Sequence, residues 1–197
     1  MDIPIIYEDN YLLVVNKPSG LLTVPTEKNE KYTLTGILGF YPCHRLDKET
    51  SGLIIYAKNR KIQRKIIESF KKRKIKKTYL ALVNGLPFPK EGVIQKRIQG
   101  LFAKTYYKVI ANKKNFSLVE VKPFTGRTNQ IRIHFKSCGF PILGDYRFAF
   151  RRDFKAKAKR LMLHAARLEF KHPVTDILLR LECEMPEDIR KFWQNHD

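Results

Sequence analysis

An arginine and an aspartate stand two residues apart in His44–Gly52, HRLDKETSG, as Arg45 and Asp47. A polar turn, Lys48–Gly52, follows, and then the apolar run Leu53-Ile54-Ile55-Tyr56. A carboxylate held at a strand edge or loop, with a cation beside it, can stay ionised and point into a cleft as a catalytic group. An exposed Arg–Asp ion pair is the ordinary alternative. Two-carboxylate acid–base chemistry would need a partner for Asp47. Glu49 is near in sequence, but on a turn it is expected to face solvent, and Lys48 and Thr50 beside it read as surface residues.

Tyr79 lies in the β-rich run Lys77–Val83, KTYLALV. A strand tyrosine packs in a core by default; strand and cleft aromatics also stack on bases extruded from nucleic acid. Arg127, Arg132 and His134 lie in GRTNQIRIH. Thr128 is placed to cap a short helix running through Ser137, with Ile131, Phe135 and Cys138 on its buried face. Arginines near the free N–H groups of a helix start suit phosphate binding, and an arginine that reaches a carboxylate lowers its pKa. Structural ion pairing is the other reading of both arginines. His134 and His164 are far apart in sequence with no further ligand pattern, so no metal site is expected.

The chain as a whole is basic. Its 197 residues hold 39 Lys+Arg against 19 Asp+Glu, a formal net charge of +20. Such a balance points to a polyanionic partner, because phosphate neutralisation dominates nucleic-acid affinity. Lys58–Lys74 concentrates the charge. Ile62, Ile66, Ile67 and Phe70 repeat there at helical spacing, and the other face carries Arg60, Lys61, Arg64, Lys65, Lys71, Lys72, Arg73 and Lys74. That one-sidedness suits contact with RNA; a solvated helix face is the alternative. Asp145–Arg160 is a second basic segment, with Arg147, Arg151, Arg152, Lys155, Lys157, Lys159 and Arg160, and it carries the aromatics Tyr146, Phe148, Phe150 and Phe154. A flexible, partly helical loop is expected there.

Apolar residues make up 43% of the chain, enough for a core, and the length suits one domain. No run of about 18 apolar residues occurs, so no membrane partner is expected. The start, MDIPIIYEDN, has neither a basic leader nor a long apolar stretch, unlike a secretory signal. Cys43, Cys138 and Cys183 are odd in number and form no CxxC pair, which argues against a disulfide framework and for a reducing cytosol. Neither GxGxxG nor GxxxxGK[ST] appears, which disfavours dinucleotide or ATP chemistry.

Strands are expected at Ile3–Tyr7, Tyr11–Asn16 and Leu53–Tyr56, and short helices at Thr33–Phe40 and Pro186–Trp193. Thr78–Val121 reads as consecutive antiparallel strands, and Leu161–Phe170 with Ile177–Cys183 as a closing hairpin. The pattern predicts an α+β fold, with a mixed, mainly antiparallel β-sheet flanked by helices and loops.

Taken together, these stretches resemble the RluA-type pseudouridine synthases. The matching pieces, in order, are YEDNYLLVVNKPSGLLTVP, HRLDKETSGLIIYAKN, KKTYLALVNG, VKPFTGRTNQIRIHFKSCGFPILGD and RLMLHAARLEF, from Tyr7 to Phe170. HRLDxxTSG followed by GRTxQIRxH is a highly specific combination. The resemblance implies the pseudouridine synthase fold with a central catalytic cleft. It implies an enzyme that isomerises specific uridines in ribosomal RNA, of the large subunit above all, or in transfer RNA. The family's aspartate falls on Asp47, its active-site tyrosine on Tyr79, and its carboxylate-pairing arginine on Arg132. Arg45 matches the arginine that occupies the helix position vacated by the flipped uridine.

RNA contacts are expected from Arg45, Arg127 and Asn129, and from Arg64, Lys65, Lys71 and Lys72 on the basic helix. The family often has His where this chain has Asn129, so local retuning is expected there. The resemblance starts at the catalytic domain, so residues 1–197 are expected to form a single catalytic domain without a separate N-terminal RNA-binding domain. A cytoplasmic monomer is expected. The isomerisation gains no atom and involves no redox change, so no cofactor is needed. The rival reading is a non-catalytic RNA-binding or RNA-folding protein on the same scaffold. The filling of all three catalytic positions speaks against it.

Overall fold

The computed structural model describes residues 2–28, 30, 32–154 and 156–196. Lys155 of the second basic segment lies outside the described residues. In chain order the elements are β1 (Ile5–Glu8), β2 (Leu12–Lys17), α1 (Leu34–Leu38), β3 (Tyr41–Pro42), β4 (Ser51–Ala57), α2 (Arg60–Lys71), β5 (Lys76–Asn84) and β6 (Glu91–Gln95). They continue with β7 (Lys104–Asn112), β8 (Phe116–Pro123), α3 (Gln130–Ser137), a 3₁₀ turn at Arg151–Asp153, β9 (Leu163–Lys171), β10 (Leu178–Glu182) and α4 (Glu187–Asn195). The chain divides into two compact units, residues 1–77 with 165–184 and residues 78–164 with 185–197.

In the first unit the strands run β1-β2-β4-β9, with β3 on β4 and β10 on β9. β2 and β4 are antiparallel, with Leu12 opposite Ala57 and Val14 opposite Ile55. Every residue of β4, SGLIIYA, is buried, so both of its faces are covered. One face packs Leu12, Val14, Leu53 and Ile55 with Ile62 and Ile66 of α2. On the other, the Tyr56 hydroxyl meets Thr35 Oγ1 of α1 at 3.1 Å. Asn59 caps α2, its side-chain oxygen accepting from the Ile62 N–H at 3.0 Å. The opposite face of α2 leaves Arg64 and Lys65 exposed, and Lys71 and Lys72 lie exposed at its end, as the periodicity predicts.

The second unit holds an antiparallel sheet in the order β5-β8-β7-β6. Its core gathers Leu82, Phe116, Val119 and Val121 from the strands, Ile131 and Phe135 from α3, and Ile189 and Phe192 from α4. The Phe116 ring meets Phe192 and Trp193 edge-on, each at 5.6 Å.

Four local expectations need correction. The residue at the cap of α3 is Asn129, not Thr128; it sits in the left-handed region at φ 55°, which asparagine tolerates. Cys138 is exposed, because the helix ends at Ser137 and Gly139 turns the chain at φ 83°. Thr50 is buried, since it leads directly into the covered strand β4 and its N–H closes a turn onto the Asp47 carbonyl at 3.1 Å. The segment expected as a partly helical loop has one 3₁₀ turn and is anchored by buried Ala149, Phe154, Ala156 and Ala158.

Gly52 stands at the head of β4 with φ 119°, and a Cβ there would collide with the backbone of Ala165. Gly52→Ala is therefore expected to lower stability by about 3 kcal/mol, combining backbone strain with overpacking. A thermal melt reads this directly, and an unchanged melting temperature would contradict it.

Candidate active site

The loop that carries Asp47 leaves four consecutive peptide carbonyls, from Leu46 to Glu49, without ladder partners. Each finds a donor in a turn or in residues 17–23. The Thr23 hydroxyl donates to the Leu46 carbonyl at 3.0 Å and accepts from the Leu46 N–H at 3.2 Å. The Asp47 carbonyl takes the Thr50 N–H, and the Lys48 carbonyl takes the Gly20 N–H at 2.8 Å. Ser19 Oγ donates to the Glu49 carbonyl at 2.6 Å.

Lys17 completes this clamp. It is 0% exposed, and its Nζ donates to the carbonyls of Pro18 (2.8 Å), Leu21 (2.7 Å) and Lys48 (3.1 Å). Three ammonium protons thus match three carbonyl oxygens, which makes a buried lysine tolerable. Asp47 itself is half-buried and Arg45 is exposed. His44 is a structural acceptor: its Nε2 takes the Ile55 N–H at 3.0 Å and Phe70 packs 4.7 Å from the ring. Burial, and then the neighbouring Lys77 charge, hold its pKa down to about 3, so the ring is neutral at physiological pH.

In the second unit, Tyr79 lies on β5 opposite Val121, half-buried against the core. Arg132 is on the buried side of α3. Its Nε and Nη2 donate to the two carboxylate oxygens of Asp145 at 2.9 and 2.7 Å, and Nη1 donates to Asn129 Oδ1 at 3.1 Å. The arginine and aspartate side chains are only 3% and 1% exposed. Phe148 lies against the guanidinium at 5.0 Å.

The helix start that brings these groups together is set by Gln130. Its Oε1 accepts from Thr125 Oγ1 and the Arg127 N–H, and its Nε2 donates to the Lys104 carbonyl and Thr105 Oγ1. His134, which motif reading left open, bonds Thr105 and the Lys96 carbonyl, and burial lowers its pKa. It is a neutral core residue. Among the described residues, no cluster of His, Cys, Asp and Glu is arranged to hold a metal ion.

Asp47, Arg45 and the basic α2 residues fall in the first unit, and Tyr79, Arg127, Asn129 and Arg132 in the second. Arg127 is exposed, with Nε donating to the Phe102 carbonyl at 3.1 Å. Lys65 donates to the Pro173 carbonyl at 3.0 Å and Lys72 pairs with Glu68 at 3.4 Å. Two residues were missed by motif reading, Lys17 and Asp145. A lysine closing a largely apolar strand was the available signal for the first. Asp145 closes the matching stretch that ends PILGD, but nothing local marks it as the partner of Arg132.

Removing Asp145 leaves a buried guanidinium without its main partner. Asp145→Ala should cost about 3–5 kcal/mol of stability, while Arg132→Met combined with Asp145→Leu should recover most of that loss. Urea unfolding of the two variants checks the pair of outcomes.

Comparison with known proteins fits this arrangement. The RNA pseudouridylate synthase family model matches residues 11–137. A dual-specificity RNA pseudouridine synthase, RluA of Escherichia coli (strain K12), is 39% identical over 191 residues, covering 86% of this chain and 87% of the relative. YhcT of Bacillus subtilis (strain 168), described as an uncharacterised RNA pseudouridine synthase, is 32% identical over 222 residues, covering 99% of this chain and 72% of the relative. The solved structure of human RNA Pseudouridylate Synthase Domain Containing 4 superposes with a TM-score of 0.82 at 25% identity, covering 97% of this chain and 92% of that one. The mixed sheet with its few helices is the pseudouridine synthase fold, and the chain belongs to the RNA pseudouridylate synthase family of isomerases.

Proposed function

We propose that this enzyme converts specific uridines of ribosomal RNA, in the large subunit above all, or of transfer RNA, to pseudouridine, with Asp47 as the essential carboxylate. The observation that carries this reading is the clamp on the Asp47 loop, where every carbonyl from Leu46 to Glu49 is held by a donor. A group fixed in this way is placed before the substrate arrives and loses little freedom on reaching the transition state. The dual specificity in the name of the Escherichia coli relative supports a site that accepts more than one RNA.

The reaction breaks the C1′–N1 bond, turns the uracil over and joins C5 to C1′. N1 gains a proton and C5 gives one up, so atoms balance without a cofactor. Asp47 assists at the sugar, by attack on C1′, by electrostatic support of its developing positive charge, or through a glycal-like intermediate. Arg132 is the cation that the family resemblance assigns to the site, held in orientation by Asp145 and Asn129. Tyr79 stacks on the uracil and helps remove the C5 proton. Arg45 fills the position left by the flipped nucleotide, whose unstacking costs roughly a few kcal/mol and least in a single-stranded loop.

Arg127, Arg64, Lys65, Lys71 and Lys72 hold the RNA backbone, and Asn129 contributes through its bond to Arg132. We take residues 1–197 as one catalytic domain that acts as a cytoplasmic monomer. Free thiols at Cys43, Cys138 and Cys183 support a reducing compartment.

Pseudouridine maps of cellular RNA with and without the gene test the assignment. At least one ribosomal or transfer RNA site should lose its modification without the gene; identical maps would sink it. Charge reversal of Arg64, Lys65, Lys71 and Lys72 should weaken RNA binding and flatten its salt dependence, by roughly 0.7–0.9 in slope for each phosphate no longer neutralised. An unchanged slope would return that helix face to solvent.

A further inference from the structure

In the second unit one face of the sheet is covered by α3; the other is covered where Phe116 meets α4 and open toward the end that carries Lys104 and Lys122. Thr105, Val119 and Val121 point to the covered side, where Ile131 and Phe135 of α3 pack. Alternation places Lys104 and Tyr106 of β7 and Lys122 of β8 on the open side. Phe102 and Phe124 extend the same two tracks beyond the sheet and are 47% and 51% exposed.

The tracks are tied together at that end. The Phe124 N–H donates to the Lys104 carbonyl and the Lys104 N–H to Thr125 Oγ1, each at 3.0 Å. Arg127 Nε donates to the Phe102 carbonyl, and Lys104 Nζ lies 5.1 Å from the centre of the Phe124 ring. The acids of this face have partners on it, Glu120 with Lys122 at 2.6 Å and Glu91 with the Tyr106 hydroxyl at 3.1 Å.

Single exposed apolar side chains are ordinary. Two phenylalanines at one edge, each beside a cation, form a different pattern. A protein partner would be served by the rings alone, and an RNA duplex by the cations alone. Unpaired RNA uses both, with bases stacked on rings and cations along the backbone. We propose that Phe102 and Phe124, flanked by Lys104 and Arg127, form a stacking platform for unpaired bases of the substrate RNA. The proposal rests on the functional reading above for the identity of that RNA.

The test is fluorescence anisotropy with a labelled single-stranded oligouridine about 12 nucleotides long and an RNA duplex of the same length. Phe102→Ala and Phe124→Ala should each weaken oligouridine binding by about tenfold and leave the duplex unaffected. The salt slope should not change, since every phosphate keeps its cation, whereas Arg127→Gln should flatten it. The tyrosine pair, Phe102→Tyr with Phe124→Tyr, should bind as the wild type does, which separates loss of stacking from loss of fold. Wild-type oligouridine affinity in the alanine pair overturns the platform. So does wild-type affinity in the pair Phe102→Leu with Phe124→Leu, which keeps the apolar surface but not the rings. Pseudouridine formation by the same wild-type preparation is measured on ribosomal and transfer RNA from cells lacking the gene. Ring-dependent binding without isomerisation would overturn the functional reading and leave the platform; isomerisation with ring-independent binding would do the reverse.

Discussion

Four peptide carbonyls in a row, at Leu46, Asp47, Lys48 and Glu49, must find donors once their loop packs against β2 and β4. An unpaired buried carbonyl costs about 1–3 kcal/mol, and a buried lysine without acceptors costs more. The two needs meet at the Lys48 carbonyl: Lys17 gives the loop that bond and its other two to Pro18 and Leu21, with Ser19, Gly20, Thr23 and Thr50 taking the remaining places. The consequence is positional. Asp47 stands on backbone that cannot relax without exposing several polar groups at once, so its carboxylate is held by the fold and not by its own contacts alone.

A similar economy governs the second unit. Arg132 is an almost fully buried cation, and Asp145 gives it a fork of two bonds while Asn129 takes a third. Such a pair is weak evidence for net stability, because desolvation opposes the attraction. Its effect is geometric: the planar guanidinium is fixed in orientation by a bidentate carboxylate. Asn129 reaches that position because it occupies a left-handed backbone conformation before the helix, which few residues accept. The result is a short amide directed at the arginine.

The legible parts of the chain were those with local causes. The α2 stripe of Ile62 and Ile66 follows from periodicity, and the short helix expected within Thr33–Phe40 is present as α1. The motif around Asp47 was legible because its residue types are specific in combination. The clamp beneath it was not, since Lys17 lies far from Asp47 in sequence and carbonyl satisfaction is decided only in three dimensions. Asp145 was hidden for a related reason: an acid among many cations reads as surface until the helix that holds Arg132 is packed against it. Thr128 looked like the better cap for α3 because side-chain capping is a local rule, yet the network around Gln130 sets where that helix begins.

The proposed catalysis turns on one carboxylate, that of Asp47. Joining C5 to C1′ displaces the hydrogen on C5, so RNA carrying tritium at uridine C5 releases it to water when pseudouridine forms. With the purified protein and such RNA, the native enzyme should release tritium. Asp47→Asn should bind the same RNA with comparable affinity and release none. Release by Asp47→Asn at the native rate would contradict this central role of Asp47.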